Sequence, residues 1–406
     1  MQYLLANNNT YVTGTGFAVE AVPAAVNAIA ETVHGCVIFP GFCDVHVHLR
    51  EPGFSYKETI ATGTRAAARG GCTDVCAMPN LNPVPDCMEN LQVQLDIIDR
   101  DAAIHVYPLG AITVGEKGQE LADLKGMSGH VIGYSDDGRG VNDEALLEQA
   151  MVQAKELGLP IVAHCEDLTL VNGGVIHDGN FAKKHGLPGI NSESEWKPIE
   201  MTVRLAEKVG CKLHICHIST KESVDIIRRA KARGVDVTCE TGPHYLLINH
   251  EQMRNHARFK MNPPLRDEED RLALIKGLQD GTIDMIATDH APHSAEEKAT
   301  GLRKSPMGVV GIETAFPLLY TYLVRPGKLT LQQLVKRMAI TPRNRFNIPF
   351  TESYCVWNLQ KRTEVNTDEF LSKGRSTPFD GWPMYGQCIR TVVDGKVVWD
   401  LETMGK

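Results

Sequence analysis

Residues 44–53 read DVHVHLREPG, just after the apolar run HGCVIFPGF of residues 34–42. A chain that has laid down a buried strand here sets two imidazoles two residues apart, then an arginine, then a turn. In a strand, residues i and i+2 point the same way, so His46 and His48 present ring nitrogens to one side at a spacing a single metal ion can use. A lone His-x-His is a weak sign, because an ordinary alternating strand with two hydrogen-bonded histidines reads the same. Its weight comes from what recurs along the chain.

Eight β-branched or apolar runs, each followed by a helical pattern, are visible: GFCDVHVHL, CTDVCAMP, AIHVYPLG, HVIGYSDD, LPIVAHCE, CKLHICHIS, GVDVTCETG and TIDMIATDH. In NDEALLEQAMVQAKELG, Leu147, Ala150, Met151, Ala154 and Leu157 share one helical face, with Gly158 as a stop. The helix after CHIS starts at Ser219 or Thr220 as its cap. Alternation of strands and helices suits a doubly wound open sheet as well as a closed barrel. The polar residues decide between them. His48, Asn80, Asp137, His164, His217 and Asp289 all fall at or just beyond the C-terminal ends of strand runs, where barrel enzymes assemble their sites. The predicted fold is α/β, a (β/α)8 TIM-type barrel over residues 39–344. A small accessory β domain is expected from both chain ends, residues 1–38 and 345–406, the latter with a hairpin in TVVDGKVVWD around Asp394 and Gly395.

Composition bounds the function classes. A chain of 406 residues, 43% hydrophobic and 23% charged, is large enough to bury a sizeable core. Its 42 basic and 50 acidic residues give a net charge of -8 without a basic cluster, which argues against nucleic acid or an anionic membrane as partner. Neither a signal peptide nor a bilayer-spanning segment is expected from MQYLLANNNT and GFAVEAVPAAVNAIA. Eleven cysteines without a CxxC pair suit a reducing cytoplasm, and Cys165 and Cys216, each beside a histidine, are read as buried thiols.

AHCED, CHIST and ATDHAPH place His164, His217 and Asp289 after the fifth, sixth and eighth runs. Any one of them alone would be an ordinary hydrogen-bonded or capping residue. Together with His46 and His48 they form a ligand shell suited to zinc. Arg50, two residues beyond His48, would share its side if the strand continued, and its planar fork suits a substrate carboxylate; the plainer reading is a salt bridge with Glu51 or another acid. The polar stretch HSAEEKATGLRKSPMGVVG, residues 293–311, reads equally as a lid over substrate or a surface loop.

The words DVHVHLREPG, MPN (78–80), SDDG (135–138), AHCED, HISTKES, KMNPPLR and ATDHAPH, in this order, resemble the amidohydrolase superfamily and, more closely, the bacterial class I dihydroorotases. The resemblance covers roughly residues 36–345 and touches TPFDGW and TVVDGKVV. It implies zinc, one or two ions with two favoured, at His46, His48, Asp137, His164, His217 and Asp289. Many amidohydrolases carry a carboxylated lysine after strand four; this chain has SDDG, and spacing to His164 selects Asp137 over Asp136. Asp289 is the expected proton shuttle. Asn80 and His293 would complete the carboxylate grip of Arg50, while Asn262 and the backbone of Gly308 would address the substrate ring. His244 in GPHYLL is read as structural.

The implied reaction is the reversible conversion of N-carbamoyl-L-aspartate to L-dihydroorotate in pyrimidine biosynthesis. An allantoinase or hydantoinase is the alternative enzyme, and a non-catalytic partner of aspartate transcarbamoylase the alternative of another class. The first two usually carry the strand-four lysine and the last typically loses metal histidines. A homodimer and an association with aspartate transcarbamoylase remain open. Residues 4–35 match the family poorly, and TESYCVWNLQKRTEV is shorter than the usual segment, so a trimmed or rebuilt accessory domain is expected.

Overall fold

The strand Phe42–Val47 is buried along all six residues and lies parallel to Cys72–Ala77, itself buried throughout and parallel to His105–Pro108. Strands buried on both faces read as continuous apolar runs, which is why these segments stood out. A second parallel set runs Ile161–Ala163, Leu213–Ile215, Val237–Thr241 and Met285–Ile286 in spatial order. Single parallel bridges join the two sets: Tyr134 pairs with Gly110 and Ile161 on one side, and His290 pairs with Val47 on the other. Eight strand positions thus close into a barrel. In this computed structural model the described residues are 36–405 and two short paired strands, Ala6–Asn7 and Thr10–Tyr11. The expectation for the remainder of residues 1–35 lies outside them.

The fourth position differs from expectation. HVIGYSDD does not form a strand; it contributes one bridge at Tyr134, held by Tyr134 N–H to Pro160 O at 3.1 Å and Val162 N–H to Tyr134 O at 2.8 Å. Gly133, which weakens strands, precedes it, and the carboxylate of Asp136 immediately after is bound by a neighbouring loop.

Alternation sorts the barrel's side chains into two cores. Leu213 and Ile215 join the large core shared with the helices, while Val162, Cys216, Met285 and Ala287 fill a smaller one with Cys43, Val45, Cys76, Phe346 and Ile348. The helix Glu144–Glu156 buries Leu147, Ala150, Met151 and Ala154, starts at an Asp143 cap, and stops before Gly158, whose φ is 73°. Thr220 caps the helix Lys221–Ala232 by accepting from Ser223 N–H.

Outside the barrel, Cys36–Pro40 pairs antiparallel with Tyr354–Glu364, which continues through Pro383–Val393 to Lys396–Asp400 as a four-stranded sheet. Asp394 and Gly395 turn the last hairpin with φ of 49° and 75°, the left-handed pair its tight turn requires. Phe39, Phe42, Phe316 and Trp357 weld this sheet to the barrel, with ring centroids 4.6–6.2 Å apart. Gly41 is where the chain passes from sheet to barrel, and a Cβ there would lie 2.1 Å from Thr73 Oγ1. Among the described residues, no helix is long and apolar enough to cross a membrane, and the eleven cysteines are free thiols.

Candidate metal centre

His46 and His48 reach the barrel mouth, although not by the simple alternation expected. The first strand ends at Val47, and its register against the second shifts between Asp44 and Val47, a bulge that re-aims the chain. His48 N–H then donates to His290 O at 2.9 Å, closing the barrel at the site itself. Asp44 reinforces the closure by accepting from His46 N–H and from Thr288 N–H and Oγ1.

Asp137 lies at the centre. Its Oδ1 is 3.4 Å from His46 Nε2, 3.5 Å from His164 Nδ1 and 3.7 Å from His217 Nε2, and its Oδ2 is 3.5 Å from His48 Nε2. Two ligand groups therefore share it: His46, His48 and Asp137, and Asp137, His164 and His217, with donor atoms in each within 4.8 Å of one another. Asp136 faces away, its carboxylate held by Ile112 N–H and Thr113 N–H at 2.8 and 3.1 Å and by the Thr113 hydroxyl. Asp289 Oδ1 adjoins the first group, 3.1 Å from His48 Nε2 and 3.5 Å from His46 Nε2.

These donors fit a cation on grounds internal to the molecule. His46 Nε2 and Asp137 Oδ1 are buried without a hydrogen-bond partner among the described residues, which is costly unless something else satisfies them. Burial alone would raise the Asp137 carboxyl, but the facing imidazoles of His46, His164 and His217 override it and hold the group well below the usual carboxylate range. Asp289 is likewise pushed up by burial but brought below its ordinary value overall by His48 and His46. Both are anionic at neutral pH and face imidazole nitrogens.

Supporting groups orient the rings in the manner common to metal-bound histidines. Glu240 Oε1 lies 2.8 Å from His46 Nδ1, and its other oxygen 3.0 Å from His214 Nε2, whose Nδ1 is 2.9 Å from Thr238 Oγ1. Asn80 Oδ1 lies 2.8 Å from His48 Nδ1, and Asn80 Nδ2 donates to Asp137 Oδ2 at 3.1 Å. Glu166 Oε2 sits 3.3 Å from His164 Nε2. Sequence reading missed Glu240, Asp44 and Glu166. The available signal was an acid inside an otherwise β-branched or apolar run, as in VTCET and FCDVHV. Cys216 also comes within 4.8 Å of His46 and Glu240 donors, but burial pushes its thiol far up, so it stays protonated.

The other expected residues fall around the mouth. Arg50 does not continue the strand: its φ is 60°, so the same-side argument fails, and the turn carries its Nε to Pro292 O at 3.2 Å. Glu51 is occupied with Ser55 Oγ and Ile60 N–H, and Arg50 makes no carboxylate pair among the described residues. Burial lowers the Arg50 pKa, while the charges of Asp289 and Asp137 oppose that shift. His293 Nε2 donates to Met307 O at 2.8 Å. Gly308 N–H donates to Lys260 O at 3.0 Å, and Gly308 O accepts from Lys298 Nζ at 2.7 Å. Lys298 is buried and also binds Pro306 O, so residues 293–311 are pinned to the mouth through a lysine and carry the short helices Ala295–Lys298 and Gly301–Lys304. Asn262 adjoins the Glu166 carboxylate. His244 is buried, with Nε2 unpartnered among the described residues, and burial lowers it to about 4.

The family profile described as "Dihydro-orotase-like" matches residues 35–223. Dihydroorotases of Bacillus thuringiensis and Bacillus anthracis are each 47% identical over 388 residues, covering 93% of this chain and 91% of theirs. Among solved structures, the L-hydantoinase (dihydropyrimidinase) of Arthrobacter aurescens superposes with a TM-score of 0.81 at 24% identity, covering 98% of this chain and 92% of that one. The D-hydantoinase of a Thermus species gives 0.75 at 26% identity, covering 89% and 85%. The structural likeness establishes the barrel, and the sequence identity along nearly the whole chain goes further: this protein belongs to the dihydroorotase family of cyclic amide hydrolases.

Proposed function

We propose that His46, His48, Asp137, His164, His217 and Asp289 hold zinc, two ions being favoured, and that this centre interconverts N-carbamoyl-L-aspartate and L-dihydroorotate. The observation that carries the reading is Asp137 shared by two ligand groups, with buried donor atoms otherwise left unsatisfied. Zinc held there supplies Lewis acidity, polarising an amide carbonyl and lowering the pKa of water. Asp289, ionised and next to His48, takes the proton of the attacking water and delivers it to the departing ring nitrogen. In ring closure it removes a proton from the ureido nitrogen instead.

Arg50, free of a carboxylate partner among the described residues, grips the substrate carboxylate with Asn80 and His293. Asn262 and the second lone pair of Gly308 O address the ring. Asn80 then has two duties, because its amide already links His48 to Asp137. Eleven free thiols support a cytoplasmic setting. A homodimer and a complex with aspartate transcarbamoylase are the family-derived partners.

The test is hydrolysis of L-dihydroorotate by the zinc-supplemented chain alone, beside hydantoin and allantoin. Turnover of dihydroorotate only is expected; turnover of a ring without a carboxylate would overturn the role given to Arg50. Silence on all three would point to a required partner. Arg50→Met should abolish turnover at unchanged zinc content, and zinc loss in that variant would make Arg50 a structural residue.

A further inference from the structure

A second histidine and carboxylate cluster lies apart from the barrel centre and shares no residue with it. His177 ends the short strand Ile176–His177, which pairs with Gly189–Ile190. His250 opens the turn His250–Gln252, and Asp267 caps the helix Glu268–Asp280. Two connections of the barrel, those that follow Ile161–Ala163 and Val237–Thr241, thus converge on one point. His177 Nε2 is 3.3 Å from Asp267 Oδ2, and His250 Nε2 is 2.8 Å from Asp267 Oδ1. The rings meet edge to face, centroids 5.0 Å apart at 69°.

We propose that His177, His250 and Asp267 form a second metal site, for a divalent transition ion such as zinc, cobalt or nickel. Their donor atoms lie within 4.8 Å of one another. Tetrahedral coordination at bonds of about 2.0–2.1 Å needs donors roughly 3.3 Å apart, close to the 3.3 and 2.8 Å that separate the imidazoles from Asp267. Both imidazoles are buried, at 5% and 2% exposure, whereas the Asp267 side chain is 57% exposed, leaving an entry path and a fourth position for water. Two imidazoles with one carboxylate select borderline transition ions over magnesium or calcium.

One further observation points the same way. The His250 ring is seated against Gly179, where a Cβ would lie 2.4 Å from Cε1, so the backbone leaves room for the imidazole. Arg266 Nη1 lies 3.4 Å from His177 Nδ1, a contact that favours the proton on Nε2. That bond is the longest of its set, since Nη1 donates to Ile190 O and Asn191 O at 3.1 and 3.2 Å, and it must give way when Nε2 takes a metal.

The competing arrangement is a metal-free His–Asp–His hydrogen-bonded triad. The experiment loads the chelator-stripped full chain with excess cobalt, removes free metal, and counts bound ions for wild type, for Asp267→Asn, and for the double variant His177→Gln/His250→Gln. Both variants should retain one ion fewer per chain than wild type, with dihydroorotate turnover by the zinc enzyme unchanged. Equal cobalt content in wild type and Asp267→Asn would overturn the proposal in favour of the triad. Because Asp267 is exposed, that variant keeps the test valid even where the buried double variant fails to fold.

Discussion

At the floor of the barrel, Asp74 is buried and fully engaged. It pairs with Arg343, accepts from Thr73 Oγ1 at 2.6 Å, and lies 3.1 Å from His105 Nδ1, while Arg343 also donates to Gly41 O and Ala339 O at 2.7 Å. At the mouth, Asp137 is equally buried, yet its Oδ1 has no donor, and neither does His46 Nε2. Both ends bury carboxylates beside cationic or ionisable groups. The floor pairs Asp74 and Arg343 wholly within the protein and so reads as structure. The mouth leaves lone pairs converging on shared points and so reads as a site for something the chain does not itself supply.

Four substitutions would break or sharpen this contrast. Asp289→Asn, at the mouth, should lower turnover by about 10²–10⁴-fold, measured in steady state, with the fold retained; a loss below tenfold would move the proton step to another group. Arg343→Met, at the floor, leaves Asp74 buried without its cation and should cost about 3–5 kcal/mol in urea unfolding. The same variant should keep turnover per folded molecule, and a selective loss of turnover would erase the distinction between the ends.

Glu240→Gln should weaken metal affinity or activity by roughly 10–100-fold, read by competition with a chelator, because it loosens the ring of His46 without removing a ligand. Wild-type behaviour there would reduce the Glu240 and His214 pairing to packing. The smallest effect concerns His105, which joins Asp74 to Asp394 of the hairpin at 3.1 and 2.8 Å. The Asp74 hydrogen bond, against burial and with help from Asp394, raises it to about 9. A raised histidine contributes stability that is complete below its ordinary value of about 6.5 and is lost as pH climbs through the folded value. The melting temperature of wild type should therefore fall more steeply between those pH values than that of His105→Gln.

Much of the barrel was legible because burial and periodicity are local. The seven strands seen as ladders coincide with apolar runs, and the helix at 144–156 follows its apolar spacing and its Asp143 cap. The fourth run was less legible, since Gly133 and the commitment of Asp136 reduce it to a bridge at Tyr134. At the mouth, the histidines could be named from their positions at strand ends. The orienting groups could not, because an acid within a strand gives no local sign of which distant ring it faces.

By itself, the sequence determined that strands and helices alternate and that His46, His48, His164, His217 and Asp289 stand at strand ends, and its long ordered motifs indicated the family. Those are properties of neighbours in the chain, governed by alternation and burial. Tertiary structure alone decided which residues meet. It set Asp137 between two pairs of histidines and turned Asp136 away. It bent Arg50 out of its strand at a φ of 60° and joined His46 to Glu240 across 194 residues, and Arg343 to Asp74 across 269. Such contacts exist only once the barrel closes, because closure brings strand ends that are remote in sequence within hydrogen-bonding distance and fixes the direction from which each side chain arrives.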